Sequence, residues 1–122
     1  MQTPWGKADH VELVGDTGMK WVSTPSHGGL YIPGAFLQKL PVELRASNSY
    51  SGCGCWFEED VEWAIPVLAF PQYFPPATCA AAVLTIESYS QAERGKYMYS
   101  AAQWLKSDPD AVPVKERAKL AA

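Results

Sequence analysis

The chain has little that would bring it to a membrane. Its longest apolar runs fall well short of the roughly 20 consecutive residues that a membrane-spanning helix requires. The N-terminus also lacks the positively charged segment followed by an apolar one that marks a secretory signal peptide. We therefore expect a cytoplasmic protein that acts without a membrane.

Basic residues are scarce in most of the chain. Residues 1–93 hold four lysines and arginines against ten acidic residues, a net charge of −6, whereas residues 94–122 hold six against three. Proteins that bind nucleic acid directly present a basic face to the phosphates. The acidic body argues against direct nucleic-acid binding and favours a partner whose own surface is basic.

Cysteine is present in an odd number and without the spacing of a disulfide framework. The positions of Cys53, Cys55 and Cys79 therefore predict reduced thiols. Cys53 and Cys55 could bind a soft metal, but a structural zinc site takes four ligands at recognisable spacing. The two histidines do not stand in a His-Glu-x-x-His pattern either, and we expect no cofactor.

Length and composition predict one compact domain. With 122 residues, 48% of them apolar and 19% charged, the chain can bury one core but is too short for two. Ten prolines and nine glycines indicate short elements joined by defined turns. We predict a single domain over residues 1–122, with a β-rich part at 1–45 and a helical part at 56–122.

The first part has the pattern of a small antiparallel sheet. Extended segments at 11–14 and 19–23 flank a Gly-Asp-Thr-Gly loop, which is typical of a β-hairpin. After a polar loop with two glycines, residues 30–32 predict a third strand. Residues 35–44 then show a helical spacing that Pro41 interrupts, which predicts only one or two helical turns.

Three to four helices are predicted in the second part. The first begins among the carboxylates at 58–62, which would meet the positive end of the helix dipole; it kinks at Pro66 and ends near Phe70. Further helices are predicted at 77–89, after the capping-box sequence at 90–93, and at 114–122. A small N-terminal antiparallel sheet followed by helices is an α+β fold.

Four carboxylates occupy five positions, 58–62, between Trp56 and Trp63 and directly before an apolar segment. Like charges this close repel each other, and carboxylates beside a core lose solvation. The arrangement therefore requires a compensating partner, an exposed face or a function.

Three motifs stand out in the first half of the chain. They are Thr-Pro-Trp-Gly at 3–6 with Asp-His at 9–10, Ser-Thr-Pro-Ser-His-Gly-Gly at 23–29, and Trp-Phe-Glu-Glu-Asp-x-Glu-Trp-Ala at 56–64. In order and spacing they resemble a domain of unknown function found in phage and mobile-element proteins. The resemblance implies a genomic setting, that of phages and mobile elements, and it implies no particular reaction. Small proteins of such elements often act against host defence by binding.

In that setting we expect an inhibitor of a host defence complex, of the CRISPR-Cas or restriction type, that acts by binding rather than by catalysis. Its interface would be an acidic-aromatic patch that docks on a basic surface of the host complex. We assign this patch to six residues: Trp56, Phe57, Glu58, Glu59, Asp60 and Glu62.

The alternative is a small metal-dependent hydrolase or nuclease, built from histidines and carboxylates of separate segments. Its metal ligands would be His10, His27 and Glu58. Its catalytic groups would be the same two histidines with Glu59. In the competing structural interpretation, His27 fixes a tight loop while the carboxylates accept hydrogen bonds from amides at a helix start.

Overall fold

An antiparallel sheet of four strands, in the order β3-β4-β5-β6, forms one layer of the fold. A two-stranded hairpin of β1 and β2 precedes it. The computed structural model describes residues 1–47, 55–88 and 95–121. Within these residues the strands are β1 (Gln2–Thr3), β2 (Gly6–Lys7), β3 (His10–Leu13), β4 (Lys20–Ser23), β5 (Gly28–Tyr31) and β6 (Trp56–Glu58).

Helices form the other layer, and the α+β prediction is confirmed. The described residues contain α1 (Gly34–Leu37), α2 (Ala64–Ala69), α3 (Pro76–Ser88), α4 (Gly95–Ser107) and α5 (Val112–Lys119). Short 3-10 turns lie at Val42–Ser47, Pro71–Tyr73 and Pro109–Ala111. None of the helices in these ranges has the length and apolar character needed to cross a bilayer.

The predicted hairpin is confirmed as β3 and β4, and β5 is the predicted third strand. Thr17 organises the hairpin loop, since its hydroxyl donates a hydrogen bond to the Val14 carbonyl oxygen (2.6 Å) and accepts one from the Met19 N–H (3.0 Å). Gly15 and Gly18 adopt φ of 53° and 87°, which favour glycine. The loop chemistry seen in the sequence therefore sets the register of the hairpin.

The prediction of a helix beginning among the carboxylates is wrong. Residues 56–58 form β6 instead, which pairs with β5 in the register Leu30↔Phe57. The period of two explains the difference: Phe57 points into the main core while its two neighbours on β6 point to the opposite face of the sheet. The first turn of α2 contains no acidic residue, so the helix dipole does not stabilise these carboxylates.

The other helix predictions differ from the structure mainly at their ends. Because α2 begins at Ala64, Pro66 lies in its first turn, where a missing N–H breaks no intrahelical bond, rather than at a kink within a longer helix. The helix predicted at 77–89 is α3, and the terminal one, α5, begins two residues earlier than predicted. The capping-box sequence at 90–93 lies outside the described residues.

The main core lies between one face of the sheet and helices α2, α3, α4 and α5. Its largest fully buried side chains include Phe57, Leu30, Ile65 and Phe74. Burying each such side chain contributes roughly 1.5–3 kcal/mol to folding. A smaller cluster of Val22, Cys55, Trp56 and the flanking Trp5 covers the opposite face of the sheet.

Gly29 marks the closest approach in this second cluster. A Cβ built at this position would overlap the Phe57 carbonyl oxygen on β6 and lie 2.7 Å from Cη2 of Trp5. Trp5 in turn meets Trp56 edge to face, with ring centroids 5.9 Å apart. Strand β5 therefore requires glycine here, so that β6 can pair on one side and Trp5 can cover the sheet.

Gly29→Ala should destabilise the protein by at least about 2 kcal/mol, because the backbone carbonyl that the new methyl meets cannot turn away as a flexible side chain would. Chemical denaturation followed by tryptophan fluorescence measures the change.

Gly34→Ala is the matched control, since its Cβ would meet nothing within 4 Å, and the variant should stay within about 1 kcal/mol of the wild type. Equal midpoints for the two variants would contradict the close packing at Gly29.

Candidate functional site

His27 lies in the tight turn between β4 and β5. The Thr24 hydroxyl donates a hydrogen bond to the His27 carbonyl oxygen (2.7 Å) and accepts one from the His27 N–H (3.1 Å). The backbone N–H of Thr24 donates to the same carbonyl oxygen, at 2.7 Å. The turn is thus fixed by threonine and backbone groups, which leaves the exposed imidazole available for another contact.

Glu59 lies directly against the glycine that follows this histidine. Its N–H donates a hydrogen bond to the Gly28 carbonyl oxygen (2.9 Å), which extends the pairing of β5 with β6 by one bond. A Cβ at Gly28 would lie 3.0 Å from Oε2 of Glu59 and 2.6 Å from the Val22 carbonyl oxygen. Because Gly28 has no side chain, the Glu59 carboxylate can lie directly against the backbone of β5.

Glu58 is a buried carboxyl group, only 7% exposed. Burial raises its pKa above the ordinary value, and the nearby charges of Asp60 and Glu59 raise it further. The Asp60 N–H opposes these effects by donating a hydrogen bond to Oε1 of Glu58 (2.8 Å). Glu58 therefore holds its proton to a higher pH than a solvated glutamate would.

The three side chains come together at one end of the sheet. His27, Glu58 and Glu59 each offer a ligand atom, and these atoms all lie within 4.8 Å of one another. One imidazole with two carboxylates suits a divalent ion such as zinc or manganese, and three protein ligands leave positions open for water or substrate.

His10 does not belong to this group. It begins β3, where it pairs with Ser23 and is exposed. The neighbouring Asp9 accepts a hydrogen bond from the Ser23 hydroxyl at 3.2 Å. The structure thus brings together His27 with Glu58 and Glu59, and it places the first histidine elsewhere on the sheet.

A surface pocket of about 520 Å³ adjoins the ligand group. Glu59 lines this pocket as well as contributing to the group. Trp21 and Trp63 form its walls, with ring centroids 5.9 Å apart and planes tilted by 56°. Small residues complete the lining, among them Gly29, Ala77 and Ala81.

The acidic-aromatic residues assigned from the sequence divide between core and surface. Phe57 is fully buried and Trp56 is 9% exposed, with Tyr31 4.8 Å from it between ring centroids. Glu59 and Asp60 are exposed, and Glu62 is half-buried. Trp21 and Trp63, which line the pocket together with Glu59, were not among the six residues assigned to the patch.

The state of the cysteines differs from the prediction that all three thiols are reduced. Cys55 is disulfide-bonded, so the prediction of three reduced thiols is wrong; it rested on an odd cysteine count, which does not exclude one bonded pair. Cys53 lies outside the described residues. Cys79 is free and buried, and its burial raises the pKa of the thiol although the Arg117 charge lowers it, which disfavours the nucleophilic thiolate.

An α+β fold with a histidine-carboxylate group beside a pocket defines a candidate ligand-binding or catalytic domain. The chain belongs to the domain of unknown function DUF7007, which it matches over residues 1–118. The match extends from the three motifs of the first half through most of the helical second half. No curated protein and no solved structure matches the chain.

The free energy of unfolding of the wild type should decrease as the pH rises, and Glu58→Gln should abolish this decrease. Because the folded pKa of Glu58 lies above the ordinary 4.5, the folded state binds more protons than the unfolded state, and the free energy of unfolding falls between pH 4.5 and the folded pKa. Below this window the two proteins should differ little; above it the variant should be the more stable. Denaturant titrations across this range, with chelator present, measure both curves.

The glutamine amide oxygen can still accept the Asp60 N–H, so the variant tests the charge rather than the hydrogen bond. Glu12→Gln, at an exposed position on β3, controls for the loss of one carboxylate. Parallel curves for wild type and Glu58→Gln at every pH would refute the assignment.

Proposed function

We propose that the domain binds a divalent metal ion through His27, Glu58 and Glu59 and is a metal-dependent hydrolase. The observation that carries this proposal is the convergence of the three ligand atoms, within 4.8 Å of one another, from two separate segments of the chain. The sequence motifs at 23–29 and 56–64 supply all three groups.

The chemistry of the group supports hydrolysis. A divalent ion with open positions lowers the pKa of bound water and polarises a carbonyl or phosphoryl oxygen. Glu59 belongs to the ligand group and also lines the pocket, so a substrate held in the pocket would have its reactive bond beside the ligands. The Thr24 contacts fix the backbone of His27 before any ligand arrives.

Glu58 would make metal binding depend on pH. A carboxylate ligates a metal in its ionised form, whereas burial raises the pKa of Glu58. Metal binding therefore has to displace the proton that this carboxyl retains, and the affinity should fall as the solution becomes more acidic.

A second candidate is the inhibitor of a host defence complex, acting by binding in the host cytoplasm. The observation in its favour is that the exposed Glu59 lines the aromatic pocket together with the half-buried Trp63, and that the adjacent Asp60 is exposed as well. The net charge of −6 over residues 1–93 fits a basic partner surface rather than direct contact with nucleic acid. This second proposal includes the expectation that a phage or mobile element encodes the protein.

His27→Ala and Glu58→Gln should each lose metal. Calorimetric titration of the chelator-stripped protein with zinc and with manganese should show about one equivalent bound by the wild type. Each variant should bind the metal more weakly than the wild type, by more than the roughly 10–100-fold that losing a supporting partner of a metal ligand costs. Elemental analysis of untagged protein and hydrolysis of bis(4-nitrophenyl) phosphate with each metal complete the test.

His10→Ala is the control, because His10 lies on β3 outside the ligand group, and it should bind metal as the wild type does. Absence of metal binding by the wild type, or an equal loss in all three variants, would overturn the metal site. Stoichiometric metal without hydrolysis would overturn the hydrolase part.

For the inhibitor, Glu59→Lys with Asp60→Lys should abolish the effect, since the reversed charges would repel a basic partner surface. The measurement is plating efficiency of a sensitive phage on hosts that express the protein together with an active CRISPR-Cas or restriction system.

Asp16→Lys with Glu43→Lys changes the net charge equally at exposed positions elsewhere and should retain inhibition. Wild-type protein that protects the phage against none of these systems would remove this candidate.

A further inference from the structure

The pocket beside the ligand group has the composition of a cation site. Trp21 and Trp63 offer two ring systems inclined at 56°, and Trp faces attract cations more strongly than other aromatic rings do. Among the residues that the structure describes, Glu59 is the only charged one that lines the pocket. Neither a lysine nor an arginine of the described residues forms an ion pair with it.

The backbone that carries this carboxylate is held at the pocket wall. The backbone of Glu59 is tied to β5 by the bond from its N–H to Gly28, and its Oε2 lies close to the position that a Cβ of Gly28 would occupy. Gly29, Ala77 and Ala81 leave the space between the tryptophans and the carboxylate unfilled by side chains of the protein. The walls of the pocket and the backbone of Glu59 are thus in place before a ligand binds.

A second cavity, of about 380 Å³, continues the same surface. It shares Trp21 and Thr78 with the pocket and is lined further by Glu12, Leu13 and Tyr73. Leu13 is 65% exposed and lies on β3, an edge strand of the four-stranded sheet. A partner anchored in the pocket would therefore find apolar contacts and a second carboxylate immediately beside it.

We infer that the pocket takes the cationic side chain of an arginine from a partner protein, with the guanidinium between Trp21, Trp63 and Glu59. The inference rests on the second candidate function, binding to a basic surface, and names the residue that would anchor there. Arginine combines a flat cation that stacks on aromatic rings with donors for a carboxylate, and it is enriched among the residues that dominate binding energy. The adjoining cavity favours a protein over a small free cation.

The metal and the arginine would use the same carboxylate but different neighbours. His27 and Glu58 do not line the pocket, whereas Trp21 and Trp63 do not belong to the ligand group. Substitution at His27 therefore separates the two sites.

The test compares two probes of nearly the same shape, N-acetyl-arginine amide and the neutral N-acetyl-citrulline amide, in which a urea oxygen replaces one guanidinium nitrogen. Each is titrated into the chelator-treated protein, and the indole N–H signals of Trp21 and Trp63 are followed by NMR. Arginine amide should shift both signals and bind about tenfold more tightly than citrulline amide, because the rings and the carboxylate favour the charge. Raising the salt concentration should weaken the arginine shifts.

Glu59→Gln should reduce this preference for arginine, and His27→Ala should leave it unchanged even where metal binding is lost. Glu43→Gln, at an exposed position outside the pocket, serves as the charge control.

Equal shifts with both probes, no shift with either, or an undiminished preference in Glu59→Gln would overturn the inference. Failure of metal binding or of phage protection would not alter the arginine titration, so the proposals fail separately.

Discussion

The pairing of β5 with β6 across two glycines is the constraint on which the rest of the structure depends. At Gly29 any side chain would collide with the Phe57 carbonyl oxygen, and at Gly28 it would crowd the Val22 carbonyl oxygen and the Glu59 carboxylate. With these positions bare, β6 completes the sheet and Phe57 enters the main core. The same pairing carries Glu58 and Glu59 to the turn that holds His27, so packing of the core and assembly of the site share one cause.

The clustered carboxylates illustrate how the chain accommodates an unfavourable sequence. A helix dipole does not offset their repulsion. The group is instead divided, with Glu58 buried on the face of the sheet opposite the main core, where it keeps a proton more readily, and with Glu59 and Asp60 left in solvent. The Asp60 N–H gives the buried carboxyl a partner within the same turn. Repulsion is thus relieved by burial of one member and hydration of the others.

Much of the fold could be predicted from the sequence, because loop residues and periodicity act locally. The Gly-Asp-Thr-Gly loop identified the β3-β4 hairpin, and the proline start identified α3. Strand β6 was missed because three residues are too few to establish a period of two, and acidic residues before an apolar run favour a helix start. Its identity depends on an open edge of β5, which is remote in sequence.

For the candidate site, His27 and the two glutamates could be proposed from the sequence, but the choice of His27 over His10 could not. Residue type suggested both histidines, and the strand order separates them, since His10 lies on β3 at the opposite edge of the sheet from β6 while His27 lies in the turn next to β5. Trp21 and Trp63 could not be chosen because their role depends on the gap that Gly29, Ala77 and Ala81 leave between sheet and helix. Such a gap is a property of packing rather than of any one segment.

The bond from the Glu59 N–H to the Gly28 carbonyl oxygen also sets how long the site persists. The backbone of Glu58 and Glu59 can separate from β5 only if two adjacent strands part, which would also expose Phe57. The lifetime of this part of the site is then that of the native sheet itself. Slow amide hydrogen exchange at residue 59 would be the signature of a site that meets its ligand already formed.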